Sequence, residues 1–115
     1  MSTNYEKLQV YQKALFFVDQ IYLLTKKFPK EEIFLLVNQL RWASVSIVLN
    51  IAEGSGRTKK EFKHFLNMSR TSCYECEAAL EIAKRQNYIS IIEQNSIAKM
   101  CDELLRMLNG LKNSL

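Results

Sequence analysis

The scarcity of glycine and proline constrains this chain more than any other feature. Its 115 residues contain only 3 Gly and 1 Pro. Average usage would put these two residues at about 12% of a chain. Hairpin turns and β-bulges depend on them, because glycine reaches positive φ and proline fixes φ. The sequence therefore excludes an all-β sandwich or barrel and predicts long helices with short connections.

Apolar residues recur along four segments at alternating steps of three and four, which is the spacing of one helix face. The predicted helices cover about residues 5–27, 30–54, 58–87 and 90–113. Short connections between long helices force neighbouring helices to run antiparallel. We therefore predict one all-α domain over residues 1–115, an antiparallel up-down-up-down four-helix bundle.

Local signals mark the helix ends. Thr58 and Ser90 each precede a glutamate by three residues, which is the capping-box spacing. Gly54 and Gly56 follow the second helix and are predicted to take the left-handed conformation that closes a helix. Asn87 tolerates the same conformation at the end of the third helix.

The charge balance is mildly basic. Sixteen Lys and Arg against twelve Asp and Glu give a net charge of +4, spread over both halves of the chain. This permits an anionic partner such as RNA or DNA without demanding one. The longest uncharged stretch, 42–52, is too short for a bilayer, which needs about 20 apolar residues, and the N-terminus lacks the order of a signal peptide. We expect a cytoplasmic protein with no membrane partner.

Helices one, three and four each carry two adjoining apolar stripes, whereas a bundle core needs only one. The stripes include the large side chains Phe16, Phe17, Phe65, Met100 and Met107. Contiguous exposed apolar patches of several hundred Å² usually mark interfaces. We predict a homo-oligomer. The alternative is that the wide stripes are buried in one broad core.

Cys73-x-x-Cys76 has the spacing of half a zinc site, which Cys101 and His64 could complete. Both cysteines of the pair lie on the apolar seam of the third helix, where small residues pack well, so we assign them to the core. His64 lies more than two turns before Cys73, which disfavours a nucleophilic pair. No catalytic residue, metal or cofactor is predicted.

The strongest candidate binding site is a cation cluster near the start of the third helix. A helix N-terminus favours anions, and Lys or Arg side chains neutralise backbone phosphates. The predicted nucleic-acid-binding residues are Arg57, Lys59, Lys60, Lys63 and His64. A solvated loop, partly neutralised by nearby glutamates, is the alternative interpretation. A looser group, Lys26, Lys27 and Lys30, is assigned to solubility.

The polar residues Asn50 and Glu53 interrupt the apolar end of the second helix. A paired-carboxylate hydrolase would need a second acid close to Glu53, and none is specified. Glu53 can pair with Arg57 across the helix end, and Asn50 can bond to a neighbouring helix. We group both with Gly54 and Gly56 as a structural turn motif, with ligand contact as the alternative.

Several segments resemble the four-helix-bundle proteins of 23S rRNA intervening sequences. The group is related to the accessory variability protein of diversity-generating retroelements. The most specific segments are Gln39-Leu-Arg-Trp-Ala-Ser-Val-Ser-Ile47 and Asn50-Ile-Ala-Glu-Gly-Ser-Gly-Arg57. Weaker ones are Val10-Tyr-Gln-Lys-Ala14, Phe28-Pro-Lys-Glu-Glu32 and a pattern of Ser72, Glu75, Glu77 and Leu80. The resemblance covers about residues 5–110.

The resemblance implies a barrel-shaped homopentamer with a non-enzymatic role. Its implied partners are RNA, DNA or a nucleic-acid-processing protein, since the retroelement relative is a partner of reverse transcriptase. Trp42 stands where the family often has a second Arg, which removes a cation. We therefore predict a non-enzymatic homo-oligomer that binds nucleic acid or a ribonucleoprotein through a basic surface. The alternative is a protein-interaction scaffold that binds no nucleic acid.

Overall fold

A computed structural model of the chain describes residue 5 and residues 8–115. Helix α1 covers Gln9–Thr25, and a 3-10 turn (Lys30–Glu32) and a π turn (Ile33–Val37) lead into α2, Asn38–Ser55. Helices α3 and α4 cover Lys59–Arg85 and Ile91–Ser114. Every regular element of the described residues is helical, which confirms the all-α prediction. The first helix is shorter at both ends than predicted, and residues 6 and 7 of its predicted span lie outside the description.

Helices α2 and α3 form the most extensive helix pair. The Ser69 hydroxyl donates to the Ile47 carbonyl over 2.9 Å, and the Ser72 and Ser46 hydroxyls lie 3.1 Å apart. Contacts later in α3 thus meet positions earlier in α2, so the two helices run antiparallel. The buried Ser69 hydroxyl is satisfied by this bond, as buried polar groups require.

Helices α1 and α4 are packed less closely. One ion pair joins the two helices, and a second joins the residues just after α1 to α4. Lys13 pairs with Glu103, and Lys27 pairs with Glu93. Residue 13 meets residue 103, and residue 27 meets residue 93, so α1 and α4 also run antiparallel. The contacts expected of an antiparallel four-helix bundle are therefore present between adjacent helices.

The core includes the three cysteines, which are free thiols and fully buried. Desolvation by burial raises the pKa of both Cys73 and Cys76 to about 12, and it also raises the pKa of Cys101. This confirms the assignment of the cysteines to the core. The other largest fully buried side chains are Phe17, Ile21, Leu40, Ile47, Ile51, Leu66, Leu80, Leu104 and Leu108.

The predicted helix caps are confirmed. The Thr58 hydroxyl accepts from the Glu61 N–H over 3.2 Å, and the Ser90 hydroxyl accepts from the Glu93 N–H over 3.1 Å. Both glutamates complete the reciprocal half of the box. Asn87 has φ 64°, the left-handed conformation expected after α3.

The exposed apolar surface includes the three predicted helices and, in addition, the segment 33–55. Phe16 is exposed, but Phe17 is buried, and Phe65, Met100 and Met107 are half-buried. Phe16 is thus the most exposed of these five side chains, while α3 exposes Met68 and Ile82 and α4 exposes Ile91 and Ile92. Nine of the fourteen exposed large hydrophobic residues lie on α1 or between residues 33 and 55. Within the π turn, Ile33, Phe34 and Leu35 are exposed, whereas Leu36 and Val37 are buried in the core.

Lys30–Ser55 is long and apolar enough to cross a membrane by length and composition alone, at 26 residues and a mean hydropathy of 1.3. Core helices of soluble proteins meet the same criterion, and one face of this helix packs against α1 and α3. The expectation of no membrane partner stays a prediction.

Candidate nucleic-acid interface

Gly54 lets the end of α2 approach the start of α3. A Cβ atom at Gly54 would lie 2.6 Å from the Phe65 Cβ and 2.9 Å from the Phe62 Cδ1, closer than carbon atoms pack. Neither Gly54 nor Gly56 has a positive φ. The predicted left-handed closure is therefore wrong: Gly54 is helical and buried, and its missing side chain makes room for Phe62 and Phe65.

Arg57 is held at the turn by two carboxylates and an aromatic ring. Its Nη2 lies 2.5 Å from Glu53 Oε1 and its Nη1 lies 3.5 Å from Glu61 Oε2. Its guanidinium lies 5.2 Å from the centroid of the Phe65 ring. The hydrogen bond that Arg57 donates to Glu53 is the main cause that raises the pKa of Arg57. The predicted Glu53–Arg57 pair is confirmed, and the charge of Arg57 is offset locally.

Glu61 joins the Arg57 contacts to the N-terminal cap of α3. Its carboxylate accepts from the Thr58 hydroxyl over 2.9 Å, and this bond is the main cause that lowers the pKa of Glu61. The cap fixes the first turn of α3, which places Lys59 and Lys60 beside the free N–H groups of that turn.

Asn50 bonds within its own helix. Its Nδ2 donates to the Ser46 carbonyl over 2.9 Å and to the Ser46 hydroxyl over 3.0 Å. The expected bond from Asn50 to a neighbouring helix is not direct. Ser46 links the two instead, because its hydroxyl is hydrogen-bonded both to Asn50 and to the Ser72 hydroxyl on α3.

The structure places the other four predicted binding residues on the first two turns of α3. Lys59, Lys60 and His64 are exposed and Lys63 is half-buried. In the described part of the chain, no carboxylate lies within ion-pair distance of these three lysines. The His64 ring packs edge-to-face on Phe65 at a centroid distance of 5.8 Å. Lys59, Lys60, Lys63 and His64 are thus close together and can contact an anion. Arg57 is already ion-paired with Glu53 and Glu61.

Three further cations extend this surface and were missed from the sequence. Gln94 Nε2 donates to Glu81 Oε1 over 2.7 Å, and burial together with Asp102, which lies further along α4, raises the pKa of Glu77 on α3. Rising numbers on α4 thus meet falling numbers on α3, so the two helices run antiparallel and the end of α4 runs back towards the start of α3. Neither 62–74 nor 104–115 contains an acidic residue. Besides Lys63, the cations on these stretches are Arg70, Arg106 and Lys112. The signal was present as two acid-free segments, but their adjacency follows only from the packing of α3 on α4.

The described residues contain no cluster of three or more His, Cys, Asp or Glu that could hold a metal ion. Cysteine binds metals as the thiolate. Burial disfavours that form at all three cysteines.

A family model described as 23S rRNA-intervening sequence protein matches residues 6–110. The chain belongs to this family. The match confirms the family resemblance seen in the sequence motifs. A solved structure of a protein of unknown function from the S23 ribosomal protein family, from Bacteroides thetaiotaomicron, is similar with a TM-score of 0.82 at 27% identity. The similarity covers 90% of this chain and 97% of that chain. A search among curated proteins found no significant match.

Proposed function

We propose that this 23S rRNA-intervening sequence family member is a non-enzymatic, cytoplasmic homo-oligomer that binds RNA through backbone phosphates. The observation that carries the proposal is the group of three lysines at the start of α3, Lys59, Lys60 and Lys63, which lack ion-pair partners among the described residues. Lysine side chains that neutralise phosphates release counterions, which drives binding of any sequence. Arg57 serves the turn rather than the RNA.

Salt-dependent binding to a hairpin RNA, measured by fluorescence anisotropy, tests the site. We expect Lys59→Glu, Lys60→Glu and Lys63→Glu together to weaken binding and to reduce the salt slope by about one for each phosphate that the lysines no longer neutralise. Glutamates at 59 and 60 in the first turn suit the helix dipole, and position 63 is only half-buried, so we expect the variant to keep its fold. An unchanged affinity and slope would remove this site.

A matched control changes the same amount of charge elsewhere. Lys26→Glu and Lys30→Glu lie at the α1–α2 connection, and Lys99→Glu lies on the exposed surface of α4. We expect this triple variant to bind the hairpin nearly as well as the unaltered protein. Equal losses in both triple variants would mean that net charge, rather than the start of α3, determines binding.

The apolar outer face of α1 and α2 supports the homo-oligomer. Arg41 is the only charged residue between 38 and 52, and its side chain contacts Thr25 and Tyr22. Its Nε donates to Thr25 Oγ1 over 2.9 Å and its guanidinium lies 4.5 Å from the Tyr22 ring centroid. Exposed apolar residues on these helices include Leu15, Tyr22, Trp42 and Leu49, and Phe34 is exposed on the π turn that leads into α2. A patch of this kind is typical of an interface. The number five comes from the family resemblance.

Size-exclusion chromatography with light scattering tests this assembly. Leu49→Glu places a charge on the apolar face, so we expect a smaller species. Ile91→Glu is the control, because Ile91 is as exposed (54% against 52%) but lies at the start of α4. A monomeric unaltered protein would contradict the proposal.

A protein-interaction scaffold is the second candidate function, and the same apolar face supports it. In that case the face contacts a different protein. A monomer that binds no RNA at low salt, but retains a protein partner in a pull-down that Leu49→Glu abolishes, would favour the scaffold.

A further inference from the structure

We infer that α3 carries a site for an unpaired nucleotide, in which the base stacks on Tyr74 and the flanking phosphates contact Arg70 and Lys63. The inference rests on the proposed RNA-binding function and extends it from backbone contact to a preference for single strands. Lys63, Asn67, Arg70 and Tyr74 follow one another at steps of four, three and four, so they lie on one face of α3.

Tyr74 is available to a ligand. Its residue is 53% exposed, and no hydrogen bond or ring contact to it is found in the described part of the chain. Every base offers a flat π face, so an exposed aromatic ring beside cations is the usual platform for an unpaired base. Duplex RNA hides those faces within its own stack.

Arg70 is already held in place. Its Nη1 donates to Asn67 Oδ1 over 3.1 Å, and its Nε is buried without a hydrogen-bond partner in the described structure. The inner part of the side chain is therefore packed, while the residue as a whole is only half-buried. A guanidinium fixed in this way loses little freedom when it binds a phosphate.

The charges around the Lys63–Tyr74 face of α3 favour an anion along most of its length and disfavour one beyond Tyr74. The last turns of α4, which run back towards the start of α3, are also free of acids and carry Arg106 and Lys112. The first acids beyond Tyr74 are Glu75, which accepts from Gln39 on α2 over 3.2 Å, and Glu77. Because these carboxylates repel phosphates, the RNA strand is expected to leave α3 near Tyr74.

The face of α3 from Lys63 to Tyr74 has a length that suits a short stretch of single-stranded RNA. Lys63 and Tyr74 are eleven positions apart in the sequence, or about 16 Å along a helix axis. A fully stacked strand, at a rise of about 3.4 Å per nucleotide, would place at most about five nucleotides along this length. Continuity with Lys59 and Lys60 extends the track to the start of α3.

The test compares a ten-nucleotide oligo(U) RNA with a blunt RNA duplex of equal length, at one salt concentration. We expect tighter binding of the single strand. Tyr74→Ala should lower the affinity for oligo(U) about tenfold and leave the duplex affinity nearly unchanged. Tyr74→Phe should retain binding, because stacking needs only the ring. Ile92→Ala is the control, since Ile92 is 77% exposed and lies at the start of α4, outside both the cation face and the apolar face.

The outcomes separate this inference from the proposed function. The stacking site alone would be overturned by two results together. Tyr74→Ala would leave oligo(U) binding unchanged, and the triple variant of Lys59, Lys60 and Lys63 would lose binding of both RNAs. Failure of the unaltered protein to bind either RNA would overturn both. A matched oligo(dU) strand bound more tightly than the RNA would overturn the assignment to RNA.

Discussion

At the scale of single residues, Gly54 determines how closely two helices meet. The sequence marks the position as special, because glycine is rare in this chain and two glycines stand together here. The reason differs from the predicted one, since Gly54 is helical and lies against Phe62 and Phe65. A rare glycine thus identifies a constrained position without identifying the constraint.

Gly54→Ala should destabilise the protein. The added methyl group would overlap Phe65, and overpacking of this kind costs about 1–3 kcal/mol, which exceeds the helix-propensity gain of about 1 kcal/mol. Thermal unfolding followed by circular dichroism measures the change in Tm. Gly110→Ala is the control, because nothing lies within 4 Å of its added Cβ, and we expect its Tm to rise. Similar gains in both variants would contradict the close contact.

The buried cysteines should be unreactive in the folded protein. A pKa of about 12 at Cys73 and Cys76 gives a thiolate fraction about a thousandfold lower at pH 8 than the ordinary pKa of 9.0 gives. We expect negligible reaction with a thiol reagent in native protein and full labelling in urea. Rapid native labelling would show that the core opens.

The same thiols make a pH prediction with a definite sign. Because the folded pKa is raised, the folded state holds these protons more tightly than the unfolded state. The contribution to stability is complete below pH 9.0 and is lost as the pH rises towards 12. Urea unfolding midpoints should therefore fall between pH 9 and pH 11, and a flat profile would refute the burial of the thiols.

At the scale of elements, α3 and α4 begin where their side chains cap them. Thr58 and Ser90 each satisfy an N–H group that the helix itself leaves free. These two boundaries were predictable to one residue because capping is a local interaction. The start of α2 was less predictable, since the chain enters it through a π turn that no local signal specifies.

Ser90→Ala should cost about 1 kcal/mol of unfolding free energy, because the first turn of α4 loses its cap. Urea denaturation measures this cost. Ser114→Ala serves as the control, since the Ser114 hydroxyl donates to the Leu111 carbonyl at the exposed end of the same helix. The cap assignment would be refuted by equal midpoints in the two variants.

At the scale of the whole molecule, charge and apolar surface are separated. The outer face of α1 and α2 is largely apolar, and the start of α3 with the end of α4 is cationic. Several carboxylates join one helix to another or complete a helix cap. The three with lowered pKa are Glu93 beside Lys27, Glu61 at the Thr58 cap and Glu81 beside Arg85.

These carboxylates should make the protein sensitive to acid. Because their pKa values are lower in the folded state, their contribution is complete above the ordinary pKa of 4.5 and is lost as the pH falls below it. Glu77 opposes this trend, because burial and Asp102 raise its pKa. We expect the urea midpoint to fall from pH 7 to pH 3, and Glu93→Gln to reduce that fall. Glu77→Gln should increase it, and the reverse order of the two variants would contradict these pKa shifts.

Local and periodic information in the sequence predicted the helical class, the four segments, both caps and the Asn87 conformation. It also predicted the burial of the cysteines and the pairing of Glu53 with Arg57. These features depend on neighbours within about one turn or on the 3.6-residue period, both of which can be read along the chain.

Packing between helices decided the rest. Gly54 meets Phe65, Asn50 reaches α3 only through Ser46, and Arg106 and Lys112 join the cations of α3 because α4 returns antiparallel beside it. Which apolar stripe remains exposed also depends on where the other helices lie. Contacts between residues distant in sequence are set by the summed burial of all four helices, so no single segment contains them.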